Sequence, residues 1–224
     1  MIKNWFKKHT YPEQWNDYSK TFTFSHSSII DEVSFVVLDT ETTGLQIAKD
    51  RILSLGAVNL KNNRIIVKNA LEIYVKQEKF NPETVPIHGL LKSGKKEKID
   101  ETSAVFQFLA FVKNSIIVGH HIGFDIAMIN QALLRIGLPK LKNKTIDTAD
   151  LIEKMTDYEN YGKPKSLDDL CNQYGIKMDD RHTALGDAYL TAILFLKIIQ
   201  KIKKVNPSVE LKDLLFKKPR RGLI

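Results

Sequence analysis

FVVLDTETTGL, residues 35–45, is the stretch whose reading decides the fold. Its first half is β-rich and apolar, and Thr42-Thr43-Gly44 punctuates its end, so it reads as a buried strand running into a turn. Asp39 and Glu41 stand two apart near the end of that strand. Side chains alternate along a strand, so both carboxylates point to the same face. Two adjacent carboxylates repel, and a site that keeps both ionised normally holds a cation between them. The Asp-x-Glu spacing alone is too common to define such a site.

Working outward, RILSLGAVNL (51–60) is a second strand, and Asn62-Asn63 signals a turn into RIIVKNALEIYV (64–75). Three consecutive strands follow, the first two or three antiparallel. Next, TSAVFQFLAFVKN (102–114) has helical apolar spacing with Thr102 as a candidate cap. SIIVGH (115–120) is a short buried strand. FDIAMINQALLRIG (124–137) is a helix stopped by Gly137 and Pro139. KTIDTADLIEKM (144–155) is a strand running into a helix. SLDDLCNQYGI (166–176) is a helix opened by Ser166, with Asp169 at the capping-box position. The last long helix covers roughly Thr183–Lys203. The order βββαβα and further helices predicts an α/β domain with a mixed sheet.

The 224 residues are 43% hydrophobic and 27% charged, enough for a sizeable core without disulfides. Lys and Arg number 34 against 26 Asp and Glu, a net charge of +8 that suits an anionic partner. No apolar run approaches a membrane-spanning length, and the N-terminus lacks the apolar stretch of a signal peptide. The single Cys171 excludes an internal disulfide framework and a cysteine zinc cluster. The chain therefore reads as cytoplasmic, with no membrane partner. Residues 1–30 form an arm carrying Trp5, Phe6, Tyr11, Trp15 and Tyr18, which either pack on the body or stack on bases. Residues 31–204 form the main domain, and 205–224 a basic tail. Within the tail, ELKDLLF (210–216) is either an amphipathic helix end packed on the body or a peptide that binds a sliding clamp.

Three further residues join the first acids. Asp125 follows the strand SIIVGH and opens an apolar helix, where a carboxylate also suits the helix dipole. Asp187 lies in the first third of the last helix among small and apolar neighbours, where an acid is costly unless paired or metal-bound. His182 precedes it by five residues in the polar turn DDRHT and reaches the same place only by folding back over the helix's first turns. Four carboxylates from three segments can hold two divalent oxygen-seeking cations, Mg²⁺ or Mn²⁺. Two such ions stabilise the attacking and leaving oxygens of a phosphodiester displacement. A histidine near neutrality can take the proton of the attacking water.

FVVLDTETTGL, IVGHHIGFD (117–125) and RHTALGDA (181–188) resemble, in order and spacing, the three motifs of the DnaQ-like DEDDh 3′→5′ exonucleases. That family includes the proofreading epsilon subunit of bacterial DNA polymerase III. The resemblance implies a ribonuclease H-like fold, with a central mixed five-stranded sheet flanked by helices. It implies that Asp39, Glu41, Asp125 and Asp187 hold the metals and that His182 is the histidine of the motif. A tyrosine-bearing sister group is set aside because Thr183 stands where its Tyr would be. Thr42, Thr43, Gly44 and Leu45 match the loop that lies against the 3′-terminal nucleotide in relatives. His88 and Phe124 match residues that line the substrate cleft. His121 departs from the family, in which Asn is common. The implied activity is metal-dependent release of nucleoside 5′-monophosphates from the 3′ end of single-stranded DNA, in proofreading or repair. Implied partners are that DNA end and, beyond it, a DNA polymerase subunit or sliding clamp. RNA as substrate, with an exoribonuclease activity, and a non-catalytic nucleic-acid-binding module remain the alternatives.

Overall fold

A computed structural model describes residues 10–78, 96–155 and 165–215. The stretch that opened the sequence reading is strand β1 (Phe35–Thr42), and it sits at the centre of a five-stranded sheet. β2 (Ile52–Lys61) and β3 (Arg64–Tyr74) follow as an antiparallel meander. The hairpin between them turns at Asn62 and Asn63, both with left-handed φ (51° and 55°), the two-residue geometry that asparagine tolerates. On the other side of β1 lie β4 (Ile116–Gly119) and β5 (Thr145–Asp147), both parallel to it, in the order β3-β2-β1-β4-β5.

Helices cover both faces. α1 (Glu13–Lys20), α2 (Glu101–Val112) and α3 (Gly123–Arg135) lie on one side. α4 (Thr148–Met155), α5 (Leu167–Gln173), α6 (Ala184–Val205) and the short α7 (Leu211–Leu215) lie on the other. The alternation of β1 divides its apolar residues between two cores. Val36 and Leu38 pack toward α2 and α3, whereas Phe35 and Val37 pack toward α6. Phe35 and Phe195 meet edge to face with centroids 5.2 Å apart.

Capping follows the sequence at two helices and departs at a third. Ser166 and Asp169 form the reciprocal capping box of α5, and the Thr183 hydroxyl accepts from the Gly186 amide to open α6. α2 begins one residue before the expected cap: Asp100, not Thr102, accepts from the Ser103 amide. A carboxylate there satisfies an orphan amide and meets the positive end of the helix dipole, so it outcompetes the hydroxyl two positions on.

The segments before β1 and after α6 contribute to the cores. Trp15 and Tyr18 are 3% and 2% exposed. The Tyr18 hydroxyl donates to Asn143 Oδ1 (2.6 Å) and accepts from the Lys142 amide (2.8 Å), and burial pushes its pKa up to about 12. Leu211 and Leu214 of α7 are buried, and the Leu211 amide donates to the Ser28 carbonyl. No helix among the described residues is long and apolar enough to cross a membrane.

Candidate active site

β1 sorts its polar end by the same alternation that sorts its apolar start. Asp39 and Glu41, odd-numbered like Phe35 and Val37, face α6 and meet Asp187 in its first turn. One carboxylate oxygen from each of the three lies within 4.8 Å of the others. Thr40 faces the opposite way, and its hydroxyl donates to Asp125 Oδ1 of α3 at 2.6 Å. Asp125 thus approaches the strand end from the second core and is itself buried.

α6 comes so close because residue 56 has no side chain. Gly56 is the register partner of Asp39 on β2. A Cβ built there would lie 2.1–2.4 Å from the backbone of Ala184 and Leu185, the opening of α6. Gly186 is equally constrained, its missing Cβ falling 2.1 Å from the Asp180 carbonyl. The helix start is pressed between the sheet and its own lead-in turn.

The electrostatics are those of a crowded anionic site. Burial raises Asp39 well above the usual carboxylate range, and Asp125, Asp187 and Glu41 push it further. Glu41 is raised to about 7, first by burial and then by Asp187 and Asp125. Asp125 is also raised to about 7, by burial, with the Thr40 hydrogen bond pulling the other way. Asp187 holds an ion pair with Arg181 through Oδ2, while its Oδ1 is buried with no hydrogen-bond partner. Three converging carboxylates with a buried free oxygen among them fit a divalent cation.

Arg181 is the residue that sequence reasoning missed. Its Nε donates to Asp168 of α5 at 2.6 Å and its Nη1 meets Asp187, so one guanidinium ties two helices at the site. It also holds Asp168 below the usual carboxylate range. The available signal was a lone cation beside His182 in a motif of acids.

His182 itself is exposed in the turn before α6, with φ +62°. The structure does not bring its side chain into the carboxylate cluster, which holds Asp39, Glu41 and Asp187. His121 is also left-handed, φ +56°, at the end of β4. Asn, Asp and His are the non-glycine residues that most readily adopt that conformation, which gives a backbone reason why His can stand where relatives have Asn. The neighbouring His120 is half-buried, its pKa lowered to about 4 by desolvation first and then by His121.

The residues expected to contact substrate fall into three groups. Thr43 is fully buried and donates to Asp50 Oδ1 (2.8 Å), and Thr42 donates to the Gly44 carbonyl (2.9 Å), so both hydroxyls hold the loop's own shape. A Cβ at Gly44 would fall 2.6 Å from Asp50, whose carboxylate fills the loop. Leu45 projects outward, 83% exposed, and Phe124 is half-buried against the α2–α3 core. His88 lies outside the described residues.

A carboxylate cluster at the strand ends of a mixed five-stranded sheet defines a class, the ribonuclease H-like nucleases. Residues 36–195 match the family model described as Exonuclease (RNase T), and the chain belongs to that exonuclease family, as the DnaQ-like resemblance implied. Among curated relatives, the DNA polymerase III PolC-type of Caldanaerobacter subterraneus subsp. tengcongensis is 32% identical over 185 residues, covering 78% of this chain and 12% of the relative. That of Listeria innocua is 30% identical over 187 residues, covering 83% and 12%. The chain thus spans about an eighth of these proteins' length. Among solved structures, E. coli Exonuclease I in complex with a dT13 oligonucleotide aligns with TM-score 0.66 and 18% identity, covering 78% of this chain and 42% of that one. Exonuclease X in complex with 5′ overhanging duplex DNA aligns with TM-score 0.58 and 21% identity, covering 75% and 92%. The ribonuclease H-like fold expected from the sequence is borne out.

Proposed function

We propose that this exonuclease-family domain removes nucleotides from the 3′ end of single-stranded DNA by hydrolysis, releasing nucleoside 5′-monophosphates in proofreading or repair. The observation that carries the reading is the convergence of Asp39, Glu41 and Asp187, with the buried Asp187 Oδ1 unpartnered. Asp39, Glu41 and Asp187 would hold one Mg²⁺ or Mn²⁺, and Asp125, with Asp39, a second. The ions would supply charge neutralisation and Lewis acidity for the displacement. His182 accepts the proton of the attacking water; its exposed position lets it pass that proton to solvent. Water adds to phosphorus, the bond to the 3′-oxygen of the penultimate nucleotide breaks, and that oxygen takes a proton from solvent to leave as the new 3′-hydroxyl. The loop closed by Thr42, Thr43 and Gly44 presents Leu45 to the terminal nucleotide, with Phe124 lining the cleft.

The catalytic unit in this reading spans 31–204, with residues 1–30 and 205–224 as accessory segments, working in the cytoplasm alongside a DNA polymerase. The test is a time course on 5′-labelled single-stranded DNA and RNA with Mg²⁺, Mn²⁺ or EDTA. A descending DNA ladder that EDTA abolishes, and that Asp39→Ala lowers by at least about 1,000-fold in rate, is expected. A ladder confined to RNA would make the domain an exoribonuclease. An unimpaired Asp39→Ala variant would refute the site.

A further inference from the structure

Four carboxylates only balance the charge of two divalent ions, so the acid cluster adds little net attraction for a polyanion, and strand affinity gains from cations elsewhere on the surface. A cavity of about 380 Å³ at the opposite pole of the sheet has the chemistry for it. Three segments build it: the chain after α1, the lead-in to β5, and α7. Phe24 stands on its wall 79% exposed, an aromatic face open to solvent. Lys142 and Lys144 line it as well, Lys142 lying 5.9 Å from the centre of the Phe22 ring. The one acid on the wall, Glu210, is paired with Lys212 at 2.7 Å, so the charge that the cavity presents is cationic. From Leu215, also on the wall, the sequence runs on into Phe216-Lys217-Lys218-Pro219-Arg220-Arg221.

We propose that this cavity is a second binding site for single-stranded nucleic acid, gripping the strand upstream of the 3′ end that enters the acid cluster. The proposal rests on the exonuclease reading above. Phe24 offers a base a stacking surface, and Lys142 and Lys144 take the flanking phosphates. The spacing suits one strand reaching both places. Thr145 of β5 is level with Ile117, and Ile117 with Val36. Lys144 therefore lies four positions behind Asp39 along the strands and two strands across, about 16 Å away at the usual strand dimensions. That line runs along the sheet inside the protein, and a strand passing over the surface takes a longer path, so a trinucleotide held by its 3′ end does not fill both sites.

The test measures KM and kcat for a 5′-labelled trinucleotide and for a strand of about 16 nucleotides, using wild type, Phe24→Ala and the Lys142→Ala/Lys144→Ala double variant. Phe24→Ala should raise KM for the long strand about tenfold, leaving kcat and the trinucleotide's KM unchanged. The double variant should lessen the salt slope of long-strand binding by about 1.4. An unchanged long-strand KM, or equal changes for both substrates, overturns the proposal. So does a Phe24→Ala variant that keeps its long-strand affinity but loses binding to an Asp/Glu-rich peptide, which would make the cavity a protein-docking site. If wild type cuts neither substrate, the exonuclease reading fails on its own. Fluorescence anisotropy of the long strand then decides the cavity, and equal binding by wild type and Phe24→Ala overturns it.

Discussion

Glu41 shows how the site sets function against stability. Its carboxyl titrates near 7 in the folded protein, because burial and then Asp187 and Asp125 disfavour the ionised form, against an ordinary value of 4.5. Between those two pH values the unfolded chain has released the proton while the native protein keeps it. Stability of the metal-free protein therefore falls as pH rises from about 4.5 to about 7 and then levels. Glu41→Gln removes that cost. In EDTA at pH 8 the variant should be more stable than wild type by about 2 kcal/mol, and the gap should close below about pH 4.5. Chemical denaturation across that range checks it, and a variant less stable than wild type at pH 8 would refute it. Nuclease activity should be lost at the same time. Divalent-ion affinity of the wild type should weaken as pH drops below about 7, since the ion competes with the proton for the same oxygens. At this scale motif spacing singled out four acids and His182, and the structure brings Asp39, Glu41 and Asp187 together with Asp125 one hydrogen bond away on Thr40. It did not reveal that Arg181 shares Asp187, because an ion pair from a turn back onto its helix depends on the turn geometry at residues 180–183, where Asp180 and His182 both take left-handed φ.

Among the elements, α6 and β2 make the least forgiving contact. Their approach is set by a missing Cβ at Gly56, directly across from Asp39. Gly56→Ala must push the opening of α6 away from the sheet, because the atoms it meets are backbone. Such overpacking costs about 1–3 kcal/mol. A displacement near 1 Å of Asp187 relative to Asp39 should lower kcat about 100-fold while the circular dichroism spectrum remains native. Full activity in a folded Gly56→Ala protein would show that the helix start can slide without consequence. Sequence patterning found nearly every strand and helix here, since alternation and the Asn-Asn, Gly and Ser-x-x-Asp signals are local. Gly56 gave no such signal: within SLGAV it reads as an ordinary small residue in a buried strand, and only the packed helix shows what the absent methyl is for.

At the scale of the molecule, the chain flanking the sheet belongs to its packing. Trp15 and Tyr18 fill the core of α2 and α3, and the Tyr18 hydroxyl fixes the lead-in to β5 through Lys142 and Asn143. Trp15→Ala should cost about 3–5 kcal/mol, read as a lowered denaturation midpoint with an unchanged slope, and deletion of residues 1–20 should cost at least as much. A loss under about 1 kcal/mol would mean that α1 is dispensable. Of the two readings that the sequence left open for the N-terminal aromatics, Trp15 and Tyr18 answer to packing, whereas Phe24 remains outside. Composition could not separate them, because a tryptophan two turns from a lysine looks the same whether it turns inward or outward.

The hydrogen bond from the Leu211 amide to the Ser28 carbonyl clasps the incoming and outgoing chain together at the pole where β1 and β5 begin. The carboxylates lie at the other pole, where β1 ends. The clasp and the acids thus sit at opposite ends of the same sheet, so loosening the one leaves the other's strand register in place.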